Sequence, residues 1–248
     1  MSEAEDDLPP YEGIALADVR LVRTRADADA ALAALLACDA IGFDTESKPT
    51  FQKGEQSTGP HLVQLATDRH AYLFQIGTAR PSRKQDGAAG APDETAGASA
   101  AGAPTPVPAP APAVPGIDVL RAVLESAAIL KVGFGLGDDL RRLRAKLGID
   151  AHNVLDLSTA LRRGERNAWG AKTAVARMFG KRLQKSRKIT TTNWALPRLT
   201  DKQIQYAADD AHVALRIYRH WRANPPPPLP PKPVPGGPRR AAQPKPQS

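Results

Sequence analysis

The sequence predicts an α/β fold, a mixed β-sheet flanked by α-helices, interrupted by one insertion and followed by a tail. Three observations carry that expectation. Short apolar runs of strand length recur through the first half, and two of them are separated only by Asp68-Arg69-His70, which reads as a hairpin. Helical patterns alternate with these runs and then take over the second half, as in an α/β domain. The 24 prolines, too many for a sheet-and-helix core, concentrate in two stretches and leave the rest free to fold.

Taken in order, residues 1–15 read as a loose leader. Val19-Arg20-Leu21-Val22 is a short strand. Residues 26–40 have helical character, with Leu32, Leu35 and Leu36 on one side. Residues 40–46 form a strand, and 61–67 and 71–76 form the hairpin. Residues 80–116 collapse into Ala, Pro and Gly; too few large apolar side chains remain to offset ordering entropy, so a disordered insertion is expected. Order resumes with a helix over 117–128, a strand over 129–134, and a helix opened by Asp138 and Asp139 whose Leu140, Leu143 and Leu147 mark the buried side. Residues 154–157 are extended, and helices cover 173–179 and 200–222. The tail, 223–248, carries four basic residues and no acid among its prolines, and is expected to be disordered or polyproline-like. The domain proper is thus 16–222.

Bulk composition excludes several classes. The chain has 248 residues with 42% hydrophobic content, enough for one substantial core. The single cysteine, Cys38, excludes an intrachain disulfide and any Cys-rich zinc site, and its Ala/Leu-rich surroundings suggest a buried apolar role. No apolar run approaches the ~20 residues of a membrane span, and the acidic start lacks the features of a signal peptide, so a cytoplasmic location is the default. Net charge is +8, unevenly spread: residues 141–190 hold fourteen Lys and Arg against three acids. Such a block suits a polyanion, although a solvated helix face is the commoner origin of a charge run.

The acids carry more information. Asp44 and Glu46 lie two apart in an apolar strand, so both project from the same face. Buried carboxylates cost stability unless paired, and the usual partner of several converging ones is a divalent metal. Tyr206 and Asp210, four apart in the last helix, lie one above the other, while Asp209 points about 100° away and should face solvent. Asp139 shares the inward side with Leu143, whereas Asp138 is placed to cap the helix. The glycines of 132–138 fail the dinucleotide fingerprint because Asp138 stands at the third Gly position, and there is no P-loop.

Ile41-Gly42-Phe43-Asp44-Thr45-Glu46, Leu62-Val63-Gln64-Leu65, Val132-Gly133-Phe134-Gly135 leading to Asp139, and Thr192-Asn193-Trp194 followed by Leu199-Thr200-Asp201-Lys202-Gln203 and Tyr206-Ala207-Ala208-Asp209-Asp210-Ala211 together resemble the DEDDy-type 3′–5′ exonuclease family. The likeness is greatest to the Werner-type exonuclease domains and more distant to RNase D. It implies a ribonuclease H-like fold and 3′-end hydrolysis of nucleic acid to nucleoside 5′-monophosphates. It also implies two Mg²⁺ or Mn²⁺ ions held by Asp44, Glu46, Asp139 and Asp210, with Tyr206 orienting the attacking water. DNA is the favoured substrate. RNA is the alternative, as in an RNase D-like processing exoribonuclease, and a non-catalytic nucleic-acid-binding adaptor of the same fold is a reading of another class. Thr45, Arg187 and Lys188 are candidate substrate contacts, Trp194 is assigned to the core, and the Pro-rich tail is a candidate docking peptide for a protein partner. Oligomeric state is not legible from these residues.

Overall fold

The computed structural model describes residues 7–50, 54–55, 57–76, 116–162 and 165–225. After a 3-10 turn at Leu16–Asp18 the elements are β1 (Val19–Val22), α1 (Arg25–Leu36), β2 (Ala40–Glu46), β3 (Leu62–Ala66) and β4 (Ala71–Gln75). There follow α2 (Ile117–Leu124), β5 (Leu130–Gly133), α3 (Gly137–Leu147), β6 (Val154–Asp156), α4 (Leu157–Ala160), α5 (Ala171–Phe179), α6 (Arg187–Thr190) and α7 (Asp201–Ala223). Apart from Gly116 and residues 223–225, the expected insertion and tail lie outside the described residues.

The strands form one six-stranded sheet in the order β1-β4-β3-β2-β5-β6. The hairpin β3/β4 and the pair β2/β3 are antiparallel, and β1/β4, β2/β5 and β5/β6 are parallel. Alternation along β2 sorts its side chains between two layers. Ile41 and Phe43 enter a core with Leu35 of α1, Leu120 of α2 and Leu143 of α3. Gly42, Asp44 and Glu46 turn to the other face, which α7 covers; Leu62, Ala66 and Leu73 there pack against Ala207, Ala208 and Ala211.

Small residues let α7 lie close to the sheet. A Cβ at Gly42 would fall 1.9 Å from the Ala211 carbonyl oxygen, so only glycine permits this approach. The helix is launched by a capping box in which Thr200 Oγ1 accepts from the Gln203 N–H and the Gln203 side chain accepts from Thr200 N–H. Near its far end Arg219 binds Asp39 at 2.6 Å and Asp68 at 3.1 Å, tying α7 to the approach to β2 and to the hairpin turn.

Several expectations need correction. The helix expected over 26–40 stops at Leu36 and the turn before β2 holds Cys38, which is half-buried rather than buried and donates weakly to the Ala34 carbonyl. The helix expected over 117–128 stops at Leu124; beyond it the Ser126 and Ile129 carbonyls accept from the Nζ of Lys131, a fully buried lysine. Asp138 does not cap α3; it pairs with Arg141 and Arg142. Asp156 holds the turn that leads into α3, accepting from the Gly135 and Leu136 N–H groups at 3.0 and 3.2 Å, and caps α4 by accepting from Ser158 N–H. The leader is not loose over its second half. Tyr11 N donates to the Arg182 carbonyl, Arg182 N donates to the Pro9 carbonyl, and Ile14 is buried with its N–H on Asp209 Oδ1 at 2.9 Å. Asp209 therefore does not face solvent; it also accepts from Gln205 Nε2.

The close approach of α7 makes a direct prediction. Gly42→Ala should destabilise the protein by about 1–3 kcal/mol through overpacking, read as a lower urea midpoint. Gly137→Ala, with nothing within 4 Å of the added Cβ, should be neutral or slightly stabilising in the same titration.

Candidate active site

Two elements bring the acids together. Asp44 and Glu46 project from the α7-facing side of β2, and Asp210 and Tyr206 project from α7 onto the same spot. Carboxylate oxygens of Asp44, Glu46 and Asp210 lie within 4.8 Å of one another. Glu46 and Asp210 are 9% and 8% exposed, too little for water to screen their repulsion. Asp44 keeps part of its surface open to solvent, yet protein packs densely around it, and that density governs its proton affinity.

Asp139 stands slightly apart from this trio. Its Oδ1 accepts from Thr45 Oγ1 at 2.5 Å, and Thr45 leaves β2 on the side opposite Asp44 and Glu46. Arg142 lies 3.9 Å from the same oxygen. Asp139 is still close enough for its charge to raise the pKa of Asp44.

Crowding moves every acid in one direction. Burial, then the charges of Asp210 and Asp139, lifts Asp44 well above the usual carboxylate range. Burial together with Asp44 and Asp210 pushes Glu46 up to about 9. Asp210 and Asp139 are raised by burial as well, opposed by Lys185 and by the Thr45 hydrogen bond respectively. The Tyr206 phenol is pushed far up by burial and by Asp210, so it is a proton-bearing hydroxyl, and it lies 3.0 Å from Thr190 Oγ1. Behind it Trp194 is fully buried, 6.1 Å from the Tyr206 ring, with its indole N–H on the Thr190 carbonyl; it belongs to the core, as expected.

Two residues escaped the sequence analysis. Lys185 reaches Asp210 Oδ1 at 2.7 Å and sits 5.7 Å from the Tyr206 ring centroid, the only cation the described residues place on the carboxylate trio itself. It belongs to the basic block, but no periodicity distinguishes it from its neighbours. Gln64 lies directly across from Asp44 in the sheet, fully buried, with neither side-chain nitrogen nor oxygen paired. Among the substrate candidates, Thr45 is buried against Asp139, and Lys188 is exposed on α6. The Arg187 side chain lies outside the described residues.

A six-stranded mixed sheet carrying acids on its central strand, crossed by a helix bearing Tyr206 and Asp210, defines a class, and comparison with known proteins agrees. The chain belongs to the 3′–5′ exonuclease family, whose model matches residues 94–223, a span that includes Asp139, Tyr206 and Asp210. More particularly, it is 25% identical over 183 residues to the bifunctional 3′-5′ exonuclease/ATP-dependent helicase WRN of Mus musculus, covering 73% of this chain and 11% of that protein. It is 30% identical over 102 residues to a 3′-5′ exonuclease of Arabidopsis thaliana, 40% of this chain and 35% of the relative. The chain thus spans about a third or less of the length of these relatives. The Nibbler EXO domain of Aedes aegypti superposes with a TM-score of 0.60 at 22% identity, covering 85% of this chain and 90% of that one. Escherichia coli RNase D does so with 0.58 at 21%, covering 83% and 45%. The fold is ribonuclease H-like.

The raised carboxylates predict how stability follows pH. Glu46 takes up its proton near 9 in the folded protein against an ordinary 4.5, so between those values the folded state binds more protons than the unfolded. Without metal, the urea midpoint should fall as pH rises from 5 to 9 by about the range those values set, and Mn²⁺ should restore it. Metal uptake at pH 7 should release protons, read by calorimetry in buffers of different ionisation enthalpy; a flat midpoint and no proton release would contradict the assignment.

Proposed function

We propose that this chain hydrolyses nucleic acid stepwise from the 3′ end, releasing nucleoside 5′-monophosphates, with DNA as the preferred substrate. The observation that carries the proposal is the convergence of Asp44, Glu46 and Asp210 beside a protonated Tyr206 in a chain of the 3′–5′ exonuclease family. The donor set fits the expected ions: an all-oxygen cluster of carboxylates suits Mg²⁺ or Mn²⁺ and has no soft ligand. Asp44, Glu46 and Asp210 would hold them, with Asp139, held beside the trio by Thr45, as the fourth ligand. Two such ions would supply a hydroxide near neutral pH and charge balance for the phosphate and leaving oxygen.

The remaining work falls to the chain's own groups. Tyr206, too poor an acid to ionise, positions water through its hydroxyl, itself fixed by Thr190. Lys185, paired with Asp210 here, is the cation nearest to where a phosphate oxygen must approach. Arg187 and Lys188 serve the phosphate backbone further out, a contact that favours no base and no sugar. The exonuclease unit is taken as residues 16–222 together with the docked strap from Pro9, and the tail, 223–248, is proposed as a docking peptide for a protein partner.

The test follows a 3′-labelled recessed duplex, as DNA and as RNA, with Mg²⁺ or Mn²⁺. Asp44→Asn and Asp210→Asn should each lower the rate about a thousandfold, about 4 kcal/mol of barrier, while circular dichroism shows a folded protein. Tyr206→Phe should cost about a hundredfold. Equal rates in wild type and Asp44→Asn, or none in either, would overturn the hydrolytic reading, and faster loss of the RNA label would reverse the substrate preference.

A further inference from the structure

On the α7-facing side of the sheet one buried amide has nothing to bond. Gln64 of β3 is fully buried, and among the described residues neither its Nε2 nor its Oε1 finds a hydrogen-bond partner. An amide shut away from water without partners is costly, because its donors and its acceptor both forfeit their hydration. Such groups are rare in folded proteins, and each one points to something that the side chain serves.

Strand register locates the amide. Gln64 stands directly across from Asp44 of β2 on one side and from Leu73 of β4 on the other. Opposed residues on antiparallel strands share a face and hold their Cβ atoms about 4.5–5.5 Å apart. Glu46, two residues along β2, is a diagonal neighbour at roughly 7–8 Å, still within reach of a long side chain. Otherwise the layer is apolar: Leu62 and Ala66 flank Gln64 on β3, and the α7 alanines close over them. Polar company for the amide therefore lies on the side of the acids. A carboxylate that gives one oxygen to a divalent ion keeps the other as an acceptor, and ligating carboxylates are as a rule hydrogen-bonded in turn. Gln64 Nε2 is the donor placed to serve that oxygen of Asp44, and a hydrated ion brings water to Oε1. A neutral amide also suits the position. A carboxylate at 64 would add to the repulsion among Asp44, Glu46 and Asp210, and an ammonium group would compete with the ion.

We propose that Gln64 is a positioning residue of the metal centre, orienting Asp44 for the ion from across the strand pair. Its own hydrogen bonds are complete only when the ion is bound. The inference rests on the assignment of divalent ions to Asp44, Glu46 and Asp210. It also sets two effects against each other: removing the amide weakens metal binding and leaves the protein itself no less stable.

The experiment uses the full chain with Gln64 replaced by apolar residues of similar volume, Gln64→Met and Gln64→Leu. Mn²⁺ uptake is measured by calorimetry, and stability by urea unfolding without metal; the more stable variant is the one scored. Its Mn²⁺ affinity should fall about 10–100-fold, the range for losing the partner of a metal ligand. Its urea midpoint should hold or rise, since two unpaired polar groups leave the interior. A midpoint below that of wild type gives the amide a structural role and overturns the proposal whatever the affinity. An unchanged affinity overturns it as well, and leaves the ion assignment standing when wild type binds Mn²⁺. No uptake by wild type removes the ion assignment and this inference together.

Discussion

Mutual repulsion among acids that the fold forces together is the constraint on which the molecule turns. Asp44, Glu46 and Asp210 cannot all ionise cheaply within 4.8 Å and beneath a helix. Two responses are visible in the protein. Glu46 retains its proton up to about 9, and Lys185 lends its charge to Asp210 at 2.7 Å. Both lower the net charge of the cluster, and with it the repulsion among the three acids.

What holds the acids in that state is geometry with little slack. The Gly42–Ala211 contact sets how near α7 comes to β2, and Asp210 lies one residue before that contact. The Thr200–Gln203 box fixes one end of α7, and Arg219 with Asp39 and Asp68 anchors the other. Exposed ion pairs contribute little to stability by themselves, but this one bridges an element start and a hairpin turn to the same helix, so its value is positional.

Much of this was legible in the sequence because it is local. The two-residue spacing of Asp44 and Glu46 fixes their common face, the spacing of Tyr206 and Asp210 fixes theirs, and Asp68-Arg69-His70 marks the hairpin. Where the sequence falls short at Asp209, Asp156 and Lys185, the partners are distant in the chain. Its helical angle alone points Asp209 to solvent, but Ile14 arrives from 195 residues away to cover it. Asp138 has the position of a cap, yet it is Asp156, 20 residues beyond Leu136, whose carboxylate holds the turn into the helix. Lys185 is one basic residue among many until the fold sets it on Asp210.

The order of the chain also matters, because the site is built from its two extremes. β2 is made early, and α7 closes the domain. During synthesis, which proceeds from the N-terminus at about 5–20 residues per second, Asp44 and Glu46 emerge long before Asp210 and Tyr206. The strap from Pro9 to Ile14, though made ahead of β2, finds its seat on Arg182 and Asp209 only when nearly the whole domain has appeared. A half-made chain therefore holds two hydrated carboxylates apart from Asp210 and Tyr206, and the acidic cluster assembles only when translation of the domain is complete.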